Sequence, residues 1–284
     1  MLSSLGLNSF KKNYVLVHMK VYIVTDLEGV TGVVSEEQVF PGRRYYDEAR
    51  LLLTREVNAA VEGALEGGAT EVIVNDGHDG GFNIVLEELH EEAKLVHGAP
   101  RPFALAGLDS SVDVVFLLGY HSRAGTLRGV LDHTMSSQSI QNVYLNKKPI
   151  GEIGIEAAIA GYYGVPVGLV TGCAKACEEA RSLLGDIEIV VVKWGFGRSF
   201  AMTIAPKKAR KLIREASRRA VERTLRREFK PFKVEPPIEL KIEYTLSKYA
   251  DSMESKPGVE RIDSRTIVVR GEDLIKVFRT VGFC

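Results

Sequence analysis

Short apolar runs alternate with amphipathic stretches along the first two-thirds of the chain. The runs at 20–25 (KVYIVT), 71–75 (EVIVN), 113–118 (DVVFLL), 165–170 (VPVGLV) and 187–193 (IEIVVVK) are rich in β-prone residues. Between the first two, Leu52, Leu53, Val57, Ala60, Val61, Ala64 and Leu65 recur at helical spacing, and Gly67-Gly68 stops them. This predicts a helix over 47–65. The same reading gives helices over 84–91, 152–161 and 173–184, and strands over 94–97 and 143–145. Unbroken apolar strands separated by helices predict a mainly parallel sheet covered on both faces, a three-layer α/β/α fold.

The pattern changes near residue 195. Pro206 opens a helix to about residue 227, with Ala209, Leu212, Ile213, Ala216, Ala220 and Leu225 on one stripe. EFKPFKVEPP reads as a linker. Ile238, Leu240, Ile242, Tyr244 and Leu246 then alternate with polar residues, the mark of a half-buried strand. A strand over 266–269 and a helix from about 272 complete a smaller α+β C-terminal unit. The expected division is an N-terminal extension over 1–18, an α/β domain over 19–195 that carries the chemistry, and an α+β domain over 196–284. Met19 is the expected natural start, and a strand over 14–18 is the alternative.

Composition narrows the function. Of the 284 residues, 45% are hydrophobic, and 37 basic residues balance 37 acidic ones. No net charge draws the whole molecule to nucleic acid or an acidic membrane surface. The segment 207–233 holds 12 Lys or Arg against three Glu. With no aromatics interleaved in its helix core, it reads as a solvated face or a subunit interface rather than a nucleic-acid patch. Residues 157–174 carry no charge, yet Gly161, Gly164, Pro166, Gly168 and Gly172 break them into a helix end, a turn and a strand. No membrane span is expected. Three cysteines and no secretory signal fit a reducing cytoplasm. Cys173 and Cys177, one helical turn apart, read as packed thiols.

The polar residues that follow the strands carry the chemistry. In an open parallel sheet the loops leaving the carboxyl ends of strands converge on one crevice. Asp26 and Glu28 follow the first strand, Asp76 and His78 the second, and Tyr120 and His121 the run DVVFLLG. His133 stands in GVLDHT and Glu152 at the mouth of a helix. Asp26 and Glu28, two apart at a strand end, should face the same way, and two like charges so placed need a positive partner. Imidazoles with carboxylates suit zinc, and would accept manganese, cobalt or nickel. The set is too large for one tetrahedral catalytic zinc. It suits two metals ~3.5–4 Å apart with a bridging carboxylate, a site that activates water for hydrolysis. Asp76 reads as a residue that orients its loop or His78, His90 as a surface residue on a charged helix, and His97 as structural. Asp132 reads either as a loop residue or as an aid to His133.

The ordered set DLEG, NDGH, GYHSRAG, DHTM and IGE, with RPFALAGLD, AGYYGVPV and a closing FC, resembles the D-aminopeptidase family, the M55 metallopeptidases, some of them named dipeptide transport proteins. The similarity runs from about Met19 to the C-terminus. It implies a two-zinc peptidase that removes N-terminal D-amino acids such as D-Ala from short peptides. It implies Asp26, Glu28, His78, His121 and Glu152 as zinc ligands, and a ring-like homo-oligomer. Asp26 is our choice for the bridge. His133 matches the family's catalytic, non-ligand histidine, sometimes described as the nucleophile. Water activated by the metals is the better nucleophile, so we expect His133 to move protons or polarise the carbonyl. Two departures stand out. Thr25 replaces the usual Ser, and the loop between His121 and His133 is one residue longer. The alternatives are another metal-dependent amidohydrolase or phosphoesterase, or a dipeptide-binding protein without catalysis.

Overall fold

A computed structural model of the chain describes residues 18–101 and 103–284. Its elements in order are β1 (Lys20–Thr25), α1 (Tyr46–Glu66), β2 (Glu71–Asp76), β3 (Ala93–Val96), β4 (Val114–Tyr120), β5 (Ile140–Leu145), β6 (Lys148–Pro149), α2 (Glu152–Tyr162), β7 (Val167–Cys173) and α3 (Ala174–Leu184). They continue with β8 (Glu188–Gly197), β9 (Phe200–Thr203), α4 (Pro206–Leu225), β10 (Ile238–Tyr244), α5 (Ser247–Glu254), β11 (Val259–Arg261), β12 (Thr266–Gly271) and α6 (Leu274–Val281). But for His18, the expected N-terminal extension and the alternative strand over 14–18 lie outside the described residues.

Seven strands form the large sheet in the order β3-β2-β1-β4-β7-β8-β9, parallel except for the antiparallel β9. Every residue of β4 and β7 is buried, which is why those runs show no alternation. Crossovers lead one way from β1 (through α1 to β2) and the other way from β4 (through α2 to β7). Right-handed connections therefore place α1 and α2 on opposite faces. The α/β/α layering follows, and the order reverses between β1 and β4.

A second, antiparallel sheet has the order β11-β12-β10-β5-β6. Strand β10 alternates buried and half-buried residues as its sequence predicts. The chain crosses the expected boundary at residue 195 in both directions. Strand β5 pairs with β10 in the second sheet, and α4 packs on α1 and over β7 and β8 of the first. Four of the eight basic residues of α4 have an acidic partner among the described residues, Arg218 with Glu222 on the same helix. Arg214 pairs with Glu62 and Glu66, Arg219 with Glu188, and Arg223 with Asp186, Glu188 and Glu228.

One predicted helix is not formed. Residues 84–91 hold only a 3₁₀ turn at Leu86–Glu88. Asn58, on α1, accepts from His90 N–H, the group that a helix would bond to Leu86 O, so a tertiary contact takes the hydrogen bond that would carry the helix on. Among the described residues, no helix is long and apolar enough to cross a membrane.

Candidate metal centre

The switch from β1 to β4 is where ligands bind in open α/β sheets, and the polar strand ends meet there. The chain turns directly after β1, so Asp26 and Glu28 leave the strand together rather than by strand alternation. Asp26 N–H still bonds to Leu118 O, and Gly29 N–H bonds to Gly119 O. The backbones touch at this point. A Cβ on Gly29 would lie 2.1 Å from Tyr120 O, and one on Gly119 2.2 Å from Asp26 O. Gly119 also has φ +78°, which favours glycine. The glycine of DLEG thus seats the two carboxylates against the end of β4.

His78 faces the carboxylate pair. Its Nδ1 lies 3.0 Å from both Asp26 Oδ1 and Glu28 Oε2. Its Nε2 lies 2.7 Å from Val39 O, which assigns the Nε2–H tautomer to the neutral ring and turns Nδ1 inward. His121 is the reverse case. Its Nδ1 bonds to Ser122 O at 2.9 Å, and its Nε2 lies 3.4 Å from Asp26 Oδ2 and 3.3 Å from Glu152 Oε1. Glu152 opens α2, where the helix dipole favours a carboxylate, and it accepts from Met135 N–H. The His133 ring stacks on His121 with centroids 3.9 Å apart, and its Nε2 lies 3.6 Å from Glu152 Oε1.

The donors fit a metal. Asp26, Glu28 and His121 are 5%, 4% and 1% exposed. Among the described residues, buried Asp26 Oδ2 and His121 Nε2 have no hydrogen-bond partner, and buried Glu28 Oε2 meets the His78 ring without a well-aligned hydrogen bond, an arrangement that is costly unless something binds there. Two overlapping groups have ligand atoms within 4.8 Å of one another: Asp26, Glu28 and His121, and His121, His133 and Glu152. The structure thus brings together all six residues singled out in the sequence.

Electrostatics sort the two carboxylates. Burial, and then the Glu28 charge, push Asp26 up to about 7. Burial also pushes Glu28 upward, but the charge of His78 overcomes it and holds Glu28 well below the usual range. Glu152 is held at about 2, the charge of His121 prevailing over burial. His78 and His121 rise well above the ordinary histidine range, since their carboxylate neighbours outweigh burial. Burial and the charge of His121 lower His133.

Other residues support the centre. Asp76 accepts from Asn83 N–H and Ile84 N–H, while Asn83 Nδ2 donates to His78 O. Asp76 therefore orders the His78 loop, as its position predicts. Asp132 accepts from Gly125 N–H and ties the loop before His133. His97 is exposed, edge-on to Phe82. The cysteines are packed and free.

Two contributors were missed in the sequence. Lys193, 0% exposed, donates from Nζ to the carbonyls of Glu28, Val30 and Val33. Glu56 accepts from Thr31 N–H in the same loop. A lone lysine in the run IEIVVVK was the available signal. Glu56, on a helix, offered none.

A family model described as Peptidase_M55, D-aminopeptidase, matches residues 19–283. The chain belongs to this D-aminopeptidase family. A Bacillus subtilis (strain 168) D-aminopeptidase is 34% identical over 265 residues, covering 93% of this chain and 95% of its own. The solved structure of the Zn-dependent D-aminopeptidase DppA from Bacillus subtilis, described as a self-compartmentalizing protease, aligns with a TM-score of 0.88 at 34% identity. It covers 93% of this chain and 95% of that one. Family membership agrees with the resemblance carried by the motifs.

Proposed function

We propose that the chain is a two-zinc aminopeptidase that hydrolyses the N-terminal residue, a D-amino acid such as D-Ala, from short peptides. The observation that carries this reading is the meeting of unpartnered carboxylate and imidazole atoms at the β1–β4 switch point. The M55 family match and the zinc-dependent relative support it. Asp26, Glu28, His78, His121 and Glu152 would hold the metals. Asp26 suits the bridge, because Oδ1 faces His78 and Oδ2 faces His121. Zinc, when bound, supplies Lewis acidity and eases deprotonation of water. His133 is not needed as a ligand. Its Nδ1 is fixed on Leu131 O, so Nε2 faces the cavity and can accept or return a proton during peptide cleavage.

A cavity of about 410 Å³ opens over Asp26, His133 and Glu152, a size suited to a small ligand. We further propose a cytoplasmic enzyme, with residues 19–195 carrying most of the site, and a ring-like homo-oligomer like its self-compartmentalizing relative. The test is release of amino acid from paired D-Ala and L-Ala peptides by zinc-loaded protein, with a chelated sample beside it. Chelator-sensitive release from D peptides alone is the expected result. Release from L peptides would keep the aminopeptidase and remove the D preference. No release with two metals bound would favour another hydrolase class or a peptide-binding role.

A further inference from the structure

Of the five acidic residues that line the cavity over the metal centre, Asp26, Glu28 and Glu152 are ones that would hold metal; outside that set stand Glu36 and Asp79, and among the described residues Arg198 is the one Lys or Arg in the lining. A short peptide is a zwitterion. Its ammonium end suits such a cavity, but its carboxylate end is repelled wherever no cation answers it.

Arg198 lies in the turn between β8 and β9, beside the segment that carries His133. Its backbone O accepts from Leu131 N–H at 2.9 Å. Nη1 donates to Asp132 O at 3.3 Å, and Nη2 to Glu36 Oε1 at 3.2 Å. The guanidinium is thus anchored to the residue before His133. The Arg198 and Glu36 side chains are 41% and 59% exposed. An exposed pair of this kind contributes little and yields readily to a better-placed carboxylate.

We propose that Arg198 binds the free C-terminal carboxylate of a short peptide whose N-terminal residue lies at the metal centre. The proposal rests on the peptidase reading above. The planar guanidinium fork matches a carboxylate with two parallel hydrogen bonds. One extended residue spans only about 3.5 Å, so a cation beside His133 meets a carboxylate one or two residues past the cleaved bond. Peptides with a free, nearby carboxylate are the favoured class, and C-terminally blocked or long peptides are disfavoured.

The test compares D-Ala-D-Ala with its C-terminal amide on zinc-loaded wild type, Arg198→Gln and Arg198→Lys, with zinc content measured for each. The wild type should favour the free acid by about tenfold or more in kcat/KM, carried by KM. Arg198→Gln should lower kcat/KM for the acid by about ten- to a hundredfold, while the amide loses far less. Arg198→Lys should recover part of the loss. Equal use of acid and amide by the wild type would overturn the proposal. So would equal losses on both substrates in Arg198→Gln, which is what a mere tie between loops predicts. A wild type with two zincs that cleaves neither compound would sink the peptidase reading instead. Calorimetric binding of the same acid and amide to wild type and Arg198→Gln then decides the carboxylate site by itself.

Discussion

Lys193 shows how much a single residue can organise. Its ammonium is fully buried and bonded to three carbonyls of the loop that begins at Glu28. Burial lowers its pKa to about 8, and its charge lies close to an anionic centre. Lys193→Met would strand three carbonyls and release that loop. The expected outcome is a loss of about 3 kcal/mol or more in unfolding free energy, with weaker zinc retention in a chelator competition. A variant that holds zinc as the wild type does would show that the loop stays in place without the lysine. His121 and His133 offer a sharper contrast, because their rings are stacked but their roles differ. His121→Ala should lose zinc and activity together. His133→Ala should keep zinc and lose about 10²–10⁴-fold in kcat. Metal analysis beside kinetics separates the two, and full zinc and activity in His121→Ala would refute the site. These histidines were legible because each ends a strand or stands in a Gly-rich loop. Lys193 was not, because nothing in its neighbours tells which carbonyls it will meet.

Among the elements, α2 joins the centre to the fold. Glu152 opens it, and one turn later the Tyr120 hydroxyl, from the end of β4, donates to Glu156. Burial, despite that hydrogen bond, pushes Glu156 up to about 8. A carboxyl raised this far holds its proton better when folded than when unfolded. Its contribution to stability is full below about pH 4.5, its ordinary value, and is lost as pH rises to about 8. Glu156→Gln keeps a hydrogen-bond acceptor and removes the ionisation. It should therefore gain thermal stability relative to wild type between pH 6 and 8.5, read as a Tm difference that widens with pH. A constant difference would show that Glu156 does not titrate in that window. Most elements were legible from periodicity. The 84–91 helix was not, because the acceptor that takes His90 N–H, Asn58, lies on α1, distant in sequence. Strand β5 was legible as a strand, but its partner β10 lies about a hundred residues on.

At the scale of the molecule, the open sheet places the centre, and among the described residues no further strand follows β9 at its edge of the sheet. Exposed Trp194, Phe196, Phe200 and Met202 lie on the β8–β9 hairpin. The relative described as self-compartmentalizing shares this fold at a TM-score of 0.88. Light scattering should find a particle of several chains, and a stable monomer at assay concentration would refute the oligomer. The sequence by itself determined the alternation of buried strands and helices, and the residue types at each strand end. Those depend on local periodicity and on chemistry that neighbours in the chain reveal. Only the tertiary structure decided that β1 lies beside β4, so that Asp26, Glu28 and His121 meet. It also decided that α4 and β5 cross the expected boundary, that Lys193 of β8 holds the loop after β1, and that Arg198 of the β8–β9 turn lines the cavity. Those facts rest on packing between residues far apart in the chain, which no local pattern encodes.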